Sequence, residues 1–162
     1  MKVVLAISVP SRLWRGLPGA RALAREAIAA AVAEVGLARE GGAEVSLCLA
    51  DDAQLRALNL RWRGVDKPTN VLSFPSGRSG GGAESVALGD IALAYETLTR
   101  EADELGAPLA DHYRHLVAHG FLHLIGYDHG SDQEAERMEA LETRIMARLG
   151  AADPYAREVV KA

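Results

Sequence analysis

One cysteine is all that this 162-residue chain contains, Cys48, set in the apolar run of residues 45–49. A disulfide framework within the chain is therefore excluded, and a reducing, cytoplasmic setting is the simpler expectation. Cys48 itself reads as a buried strand residue. Long hydrophobic runs are missing too. Nothing approaches the ~20 apolar residues of a membrane span, so no membrane partner is expected. The apolar start, residues 1–9, is cut by Pro10 and the charged stretch after it, which argues against a secretory signal. Nor is there an excess of positive charge: 18 Lys and Arg face 22 Asp and Glu, a net charge of −4. Proteins that coat nucleic acid non-specifically are usually basic, so any contact with RNA has to come from a local patch. Internal repeats are absent.

What is present is an ordinary globular composition, 49% hydrophobic and 25% charged. The length suits one domain, placed at residues 1–155, with 156–162 as a C-terminal tail. Residues 2–9, 43–50, 70–74 and 86–94 read as strands, the third stopped by Pro75. Residues 18–38 read as an amphipathic helix ending near Gly36. Asp51 caps a short helix over 52–60. Helices follow over 95–105 and 108–126, and Ser131 opens a last one that stops at Gly150. Gly77 to Gly82 lies in a flexible loop. Strands early and helices late predict an α+β fold: a small mixed four-stranded sheet packed against about five helices.

Chemistry concentrates in His119-Gly-Phe-Leu-His-Leu-Ile-Gly-Tyr-Asp-His129, which holds three of the five histidines. At about 100° per residue, His112, His115, His119 and His123 fall in one stripe of the helix, and Tyr113, Val117, Phe121 and Leu124 on a core face. Histidines at i and i+4 can hold one metal from one face. Gly126 ends the helix, and the chain can turn back to deliver His129 as a third ligand. Three neutral imidazoles and a water make the open tetrahedral site that catalytic zinc prefers, so one Zn2+ per chain is expected. His115 could sit behind the ligands or touch substrate, and His112 reads as exposed. The spacing is that of the zinc-protease pattern H-E-x-x-H-x-x-G-x-x-H, but Gly120 stands where the general-base Glu belongs. Either another helix packs closely on Gly120 or substrate needs the space.

A second dense stretch spans residues 58–75. Arg61, Arg63 and Lys67 read as a basic loop between helix and strand, with Trp62 among them. Arginine forks hold phosphates and an aromatic ring stacks on unpaired bases. The plainer alternative is a solvated turn whose arginines pair with nearby acids. Asp90, polar within an apolar strand, could bond the loop or orient a ligand.

Together these stretches resemble the YbeY family, metal-dependent endoribonucleases of ribosomal RNA maturation. The resemblance rests on the histidine motif, Leu58-Asn59, Arg63-Gly64, Asp66-Lys-Pro-Thr69, Val71-Leu-Ser-Phe-Pro75, Leu88-Gly-Asp-Ile91, and the segment from Met138 to Met146. It implies zinc on His119, His123 and His129, with Arg63 as the functional arginine beside it, making these four the catalytic set. Arg63, Arg61, Lys67 and Trp62 would then bind substrate, and His115, Asp128 and Asp90 would assist from behind. The implied substrate is single-stranded RNA. The implied setting is cytoplasmic: small-subunit ribosomal RNA 3′-end maturation and ribosome quality control, with the small subunit and ribosome-associated proteins as partners. A zinc hydrolase of another substrate and a non-catalytic assembly factor with structural zinc stay open as alternatives.

Overall fold

In the computed structural model, residues 2–39, 41–76 and 85–156 are described. Four strands form one mixed sheet: β1 (Val3–Ser8), β2 (Ala43–Ala50), β3 (Val71–Pro75) and β4 (Val86–Ala94), in the order β1-β2-β4-β3. β1, β2 and β4 run parallel, while β3 pairs antiparallel with β4 and borders the sheet. An edge strand tolerates proline, so Pro75 is the last residue of β3 rather than a stop before it.

Five helices complete the expected α+β fold: α1 (Ala20–Val35), α2 (Asp52–Arg63), α3 (Tyr95–Leu105), α4 (Leu109–Leu124) and α5 (Asp132–Arg148). Alternation along β4 explains their distribution. Ile91 and Leu93 point into the main core with Tyr113, Val117 and Phe121 of α4, alongside residues of α1 and α5. Ala92 and Ala94 point the other way, into a smaller cluster with Leu55 of α2 and Leu72 of β3. The helix α4 is the central element, and the predicted core face is buried throughout. The short 3-10 turn Arg12–Gly16, not expected from sequence, lays Trp14 into the core, where its indole N–H donates to the Ala50 carbonyl at 2.7 Å.

Three local expectations need correction. Nothing breaks the helix between Leu60 and Gly64, so α2 runs on to Arg63. Arg61, Trp62 and Arg63 therefore form its last turn, not a loop, and Gly64 closes it at φ 70°. Cys48 is half-buried. His112 is buried, not exposed, because it turns under α3 and meets Glu101 at 2.9 Å. The glycine loop Gly77–Gly82 lies outside the described residues, as does most of the predicted tail.

Candidate active site

The helix α4 presents His119 and His123 one turn apart, with their Nε2 atoms 3.1 Å from each other. Past Leu124 the chain reverses. The Tyr127 N–H donates back to the Leu122 carbonyl at 3.0 Å, and Gly126 supplies φ 104°. The turn brings His129 round, so that one ring nitrogen from each histidine lies within 4.8 Å of the others. Asp128 shapes this approach by accepting the His129 backbone N–H at 2.8 Å.

The far side of each ring tests whether this cluster suits a cation. His119 Nδ1 lies 2.7 Å from Glu142 Oε1, and His123 Nδ1 lies 2.9 Å from the Tyr127 carbonyl. A carboxylate and a carbonyl can only accept, so both Nδ1 atoms carry the hydrogen. In the neutral rings both Nε2 atoms are then bare lone pairs facing each other at 3.1 Å. That contact is repulsive alone and favourable around a cation. Two imidazoles on a tetrahedral metal at 2.0–2.1 Å place their nitrogens about 3.3–3.4 Å apart, close to what is seen. Burial, then the charge of neighbouring His119, holds the His123 pKa below its usual value. That favours the neutral ring a metal needs.

The histidines line an open cleft of about 500 Å³ with Arg63, Asn70, Ser73, Tyr127 and Asp128. Arg63 has no hydrogen-bond or ion-pair partner among the described residues. The acid nearest in sequence, Asp66, is taken by Arg56 at 2.6 Å. Arg63 lines the cleft with the three histidines.

A family model described as Endoribonuclease YbeY matches residues 18–150. The chain belongs to the YbeY family. A Methylocella silvestris protein named Endoribonuclease YbeY is 52% identical over 96% of this chain and 87% of its own length. A Bradyrhizobium protein of the same name is 53% identical over 93% of this chain and 90% of its own. In fold, a Thermotoga maritima protein solved in solution superposes with a TM-score of 0.53 at 22% identity. That match covers 96% of this chain and all of the other.

Within this YbeY fold the expected site residues separate into two groups. Arg63, His119, His123, His129 and Asp128 come together in the cleft. Trp62 and Asp90 do not. On β4, Ile91 faces α4, so Asp90 faces the opposite side of the sheet. There it lines a separate groove with Trp62 and Phe74, away from the histidines. Arg61 stacks its guanidinium over the Trp62 ring at 5.0 Å. Lys67 is exposed, and its carbonyl accepts from the Asn59 side chain at 2.9 Å.

The sequence reading overlooked Glu142. This carboxylate, 1% exposed on α5, also lies 2.8 Å from His115 Nε2 and accepts the Tyr155 hydroxyl at 2.9 Å. Burial pushes its pKa up, but the hydrogen bonds to His115 and His119 outweigh this and hold it at about 2. His115 thus stands behind the ligands through Glu142. A usable signal existed: Met138, Leu141 and Ile145 mark the buried stripe of α5, and Glu142 sits within it. A carboxylate at a core position needs partners to remain there.

The close neighbours of Gly120 lie on the sheet, not on another helix. A Cβ there would meet Ile91 Cγ2 and Ser73 Oγ, each at 3.0 Å, and Ser73 donates to the Gly120 carbonyl at 3.2 Å. The position lies against β3 and β4, beside Ser73, which also lines the histidine cleft.

Proposed function

We propose that this protein is a zinc-dependent endoribonuclease that cuts single-stranded RNA. The observation that carries the reading is the convergence of three imidazole donors and Arg63 on one open cleft, in a chain whose relatives bear the name Endoribonuclease YbeY. His119, His123 and His129 would hold the single zinc ion. When bound, the ion supplies Lewis acidity, which lowers the pKa of water toward ~7 and polarises a phosphoryl oxygen.

The chain's own residues do the rest. Arg63 binds the scissile phosphate and neutralises charge that develops on its oxygens. Glu142 and the Tyr127 carbonyl hold the His119 and His123 rings in the tautomer that turns Nε2 to the cleft. Gly120 offers no carboxylate, so the peptidase route that depends on one at this position lacks its base.

The biological setting follows from the family. The substrate is ribosomal RNA, cut during 3′-end maturation of the small-subunit RNA and in ribosome quality control, in the cytoplasm. A net charge of −4 makes weak intrinsic RNA affinity the expectation, so the small subunit and ribosome-associated proteins present the substrate. Among the described residues no helix is long and apolar enough to cross a membrane.

The test measures bound metal and cleavage of single-stranded against duplex RNA, with and without chelator, in wild type and His123→Ala. Wild type should hold one zinc and cut the single strand, and the variant should lose both. Normal metal content and cleavage in His123→Ala would remove this centre from the reaction. Ends bearing a 2′,3′-cyclic phosphate would identify a ribose hydroxyl as the nucleophile, and 3′-hydroxyl with 5′-phosphate ends would identify water.

A further inference from the structure

The groove on the other side of β3 has no role in the chemistry above. It measures about 670 Å³ and is lined by Trp62, Phe74, Cys48, Leu58, Asp90 and several serines. Trp62 is 61% exposed, which is unusual for the largest apolar side chain. Its ring lies 6.4 Å from Phe74 and carries Arg61 on it.

The groove borders the histidine cleft. Ser73 and Pro75 line both, so only the edge strand β3 separates them. Arg63 and Trp62 are adjacent at the end of α2, and successive helical side chains diverge by about 100°. One therefore reaches into the cleft while the other closes the groove.

We propose that this groove is a nucleobase subsite for the same RNA strand whose phosphate is held by Arg63. This rests on the endoribonuclease reading and adds to it the place where a flanking nucleotide is held. The polarity of the groove favours that occupant. Asp90 repels a phosphate but accepts from the N–H groups on a base edge, and the Trp62 face stacks on any base. Arg63, in the cleft on the other side of β3, is placed to hold the neighbouring phosphate. Only an unpaired strand can turn a base into the groove while its neighbouring phosphate sits in the cleft. The subsite would thus select single-stranded substrate.

The experiment uses the zinc-loaded full chain and a short single-stranded oligoribonucleotide with one cleavage site. Trp62→Ala keeps a good helix former at an exposed helix end. It should raise KM roughly 5- to 150-fold, the worth of one stacked base, with kcat changed less than about threefold. Trp62→Phe, which keeps a ring, should recover most of the loss. A single abasic nucleotide is then scanned along the strand. At one position it should raise KM for wild type and leave Trp62→Ala no worse, as expected of partners in one contact. Unchanged KM in Trp62→Ala, with wild type cutting normally, overturns the subsite and assigns the groove to another occupant such as a protein segment. Abasic effects that are equal in both enzymes at every position overturn it as well. If zinc-loaded wild type cuts no RNA at all, the endoribonuclease reading falls and takes this one with it.

Discussion

Replacing Glu142 by Gln changes one oxygen for an NH2 group and should weaken metal binding without touching a ligand. In the native arrangement one carboxylate receives the His119 Nδ1–H at 2.7 Å, meets His115 Nε2 at 2.8 Å and accepts the Tyr155 hydroxyl at 2.9 Å. A carboxylate can serve all three because it offers about four lone-pair sites. An amide offers one oxygen and adds two N–H donors. With its NH2 toward His119, two donors face each other unless the ring moves its hydrogen to Nε2, the nitrogen needed by the metal. With its oxygen toward His119, the NH2 group faces the Tyr155 hydroxyl and the negative charge that favours metal binding is still lost. Loss of such an orienting partner costs roughly 10- to 100-fold in metal affinity, about 1.4–2.7 kcal/mol. The assay is zinc titration against a chromophoric competitor, with Glu142→Asp as the charge-retaining control. Nitrogen NMR of the metal-free protein reads the His119 tautomer directly. A folded Glu142→Gln protein with wild-type zinc affinity and an unchanged His119 tautomer would refute the argument.

Three other expectations follow from individual contacts. Arg63→Glu should keep its zinc, since Arg63 touches none of the ligands, and lose RNA cleavage by at least about 100-fold, the scale of removing one transition-state donor; full activity would remove Arg63 from the mechanism. Gly120→Glu, which restores the protease pattern on paper, should gain no peptide hydrolysis and lose about 3 kcal/mol or more in denaturant unfolding, because its side chain must enter the space of Ile91 and Ser73. A variant as stable as wild type would show that the sheet does not exclude it. For Glu101, burial pushes the pKa up, but bonds to His112 and Asn70 more than offset it, so the net shift is below the ordinary 4.5. A depressed carboxylate stabilises the fold above its unfolded pKa and loses that contribution as pH falls through the folded value. The Tm gap between wild type and Glu101→Gln should therefore be widest near neutral pH and narrow below about pH 4.5. A gap independent of pH would contradict the assignment.

What could be read from the amino-acid order was whatever depends on short-range geometry. The histidine cluster is legible because two of its members share a helix and the third follows the turn after it, so 3.6-residue periodicity and a helix-ending glycine nearly place all three. The strands and most helix limits are legible for the same reason. Most misreadings involve faces. Asp90 and Trp62 lie in motifs that match the family, yet which side of the sheet each side chain meets depends on how β3, β4 and α2 pack together, which no local pattern reports. Helical periodicity predicts His112 exposed because it says nothing of α3, which covers it. Glu142 shows the limit most clearly. It lies 23 residues beyond His119, and no local pattern joins them; what joins them is the packing of α5 on α4. Gly120 makes the same point from the other direction. As a sequence feature it was a catalytic residue missing from a protease motif. In the folded chain it is a contact between α4 and the sheet, which fixes how deep the helix sits and so where His119 and His123 emerge. Seating the helix against the sheet and leaving position 120 without a carboxylate thus go together in this fold.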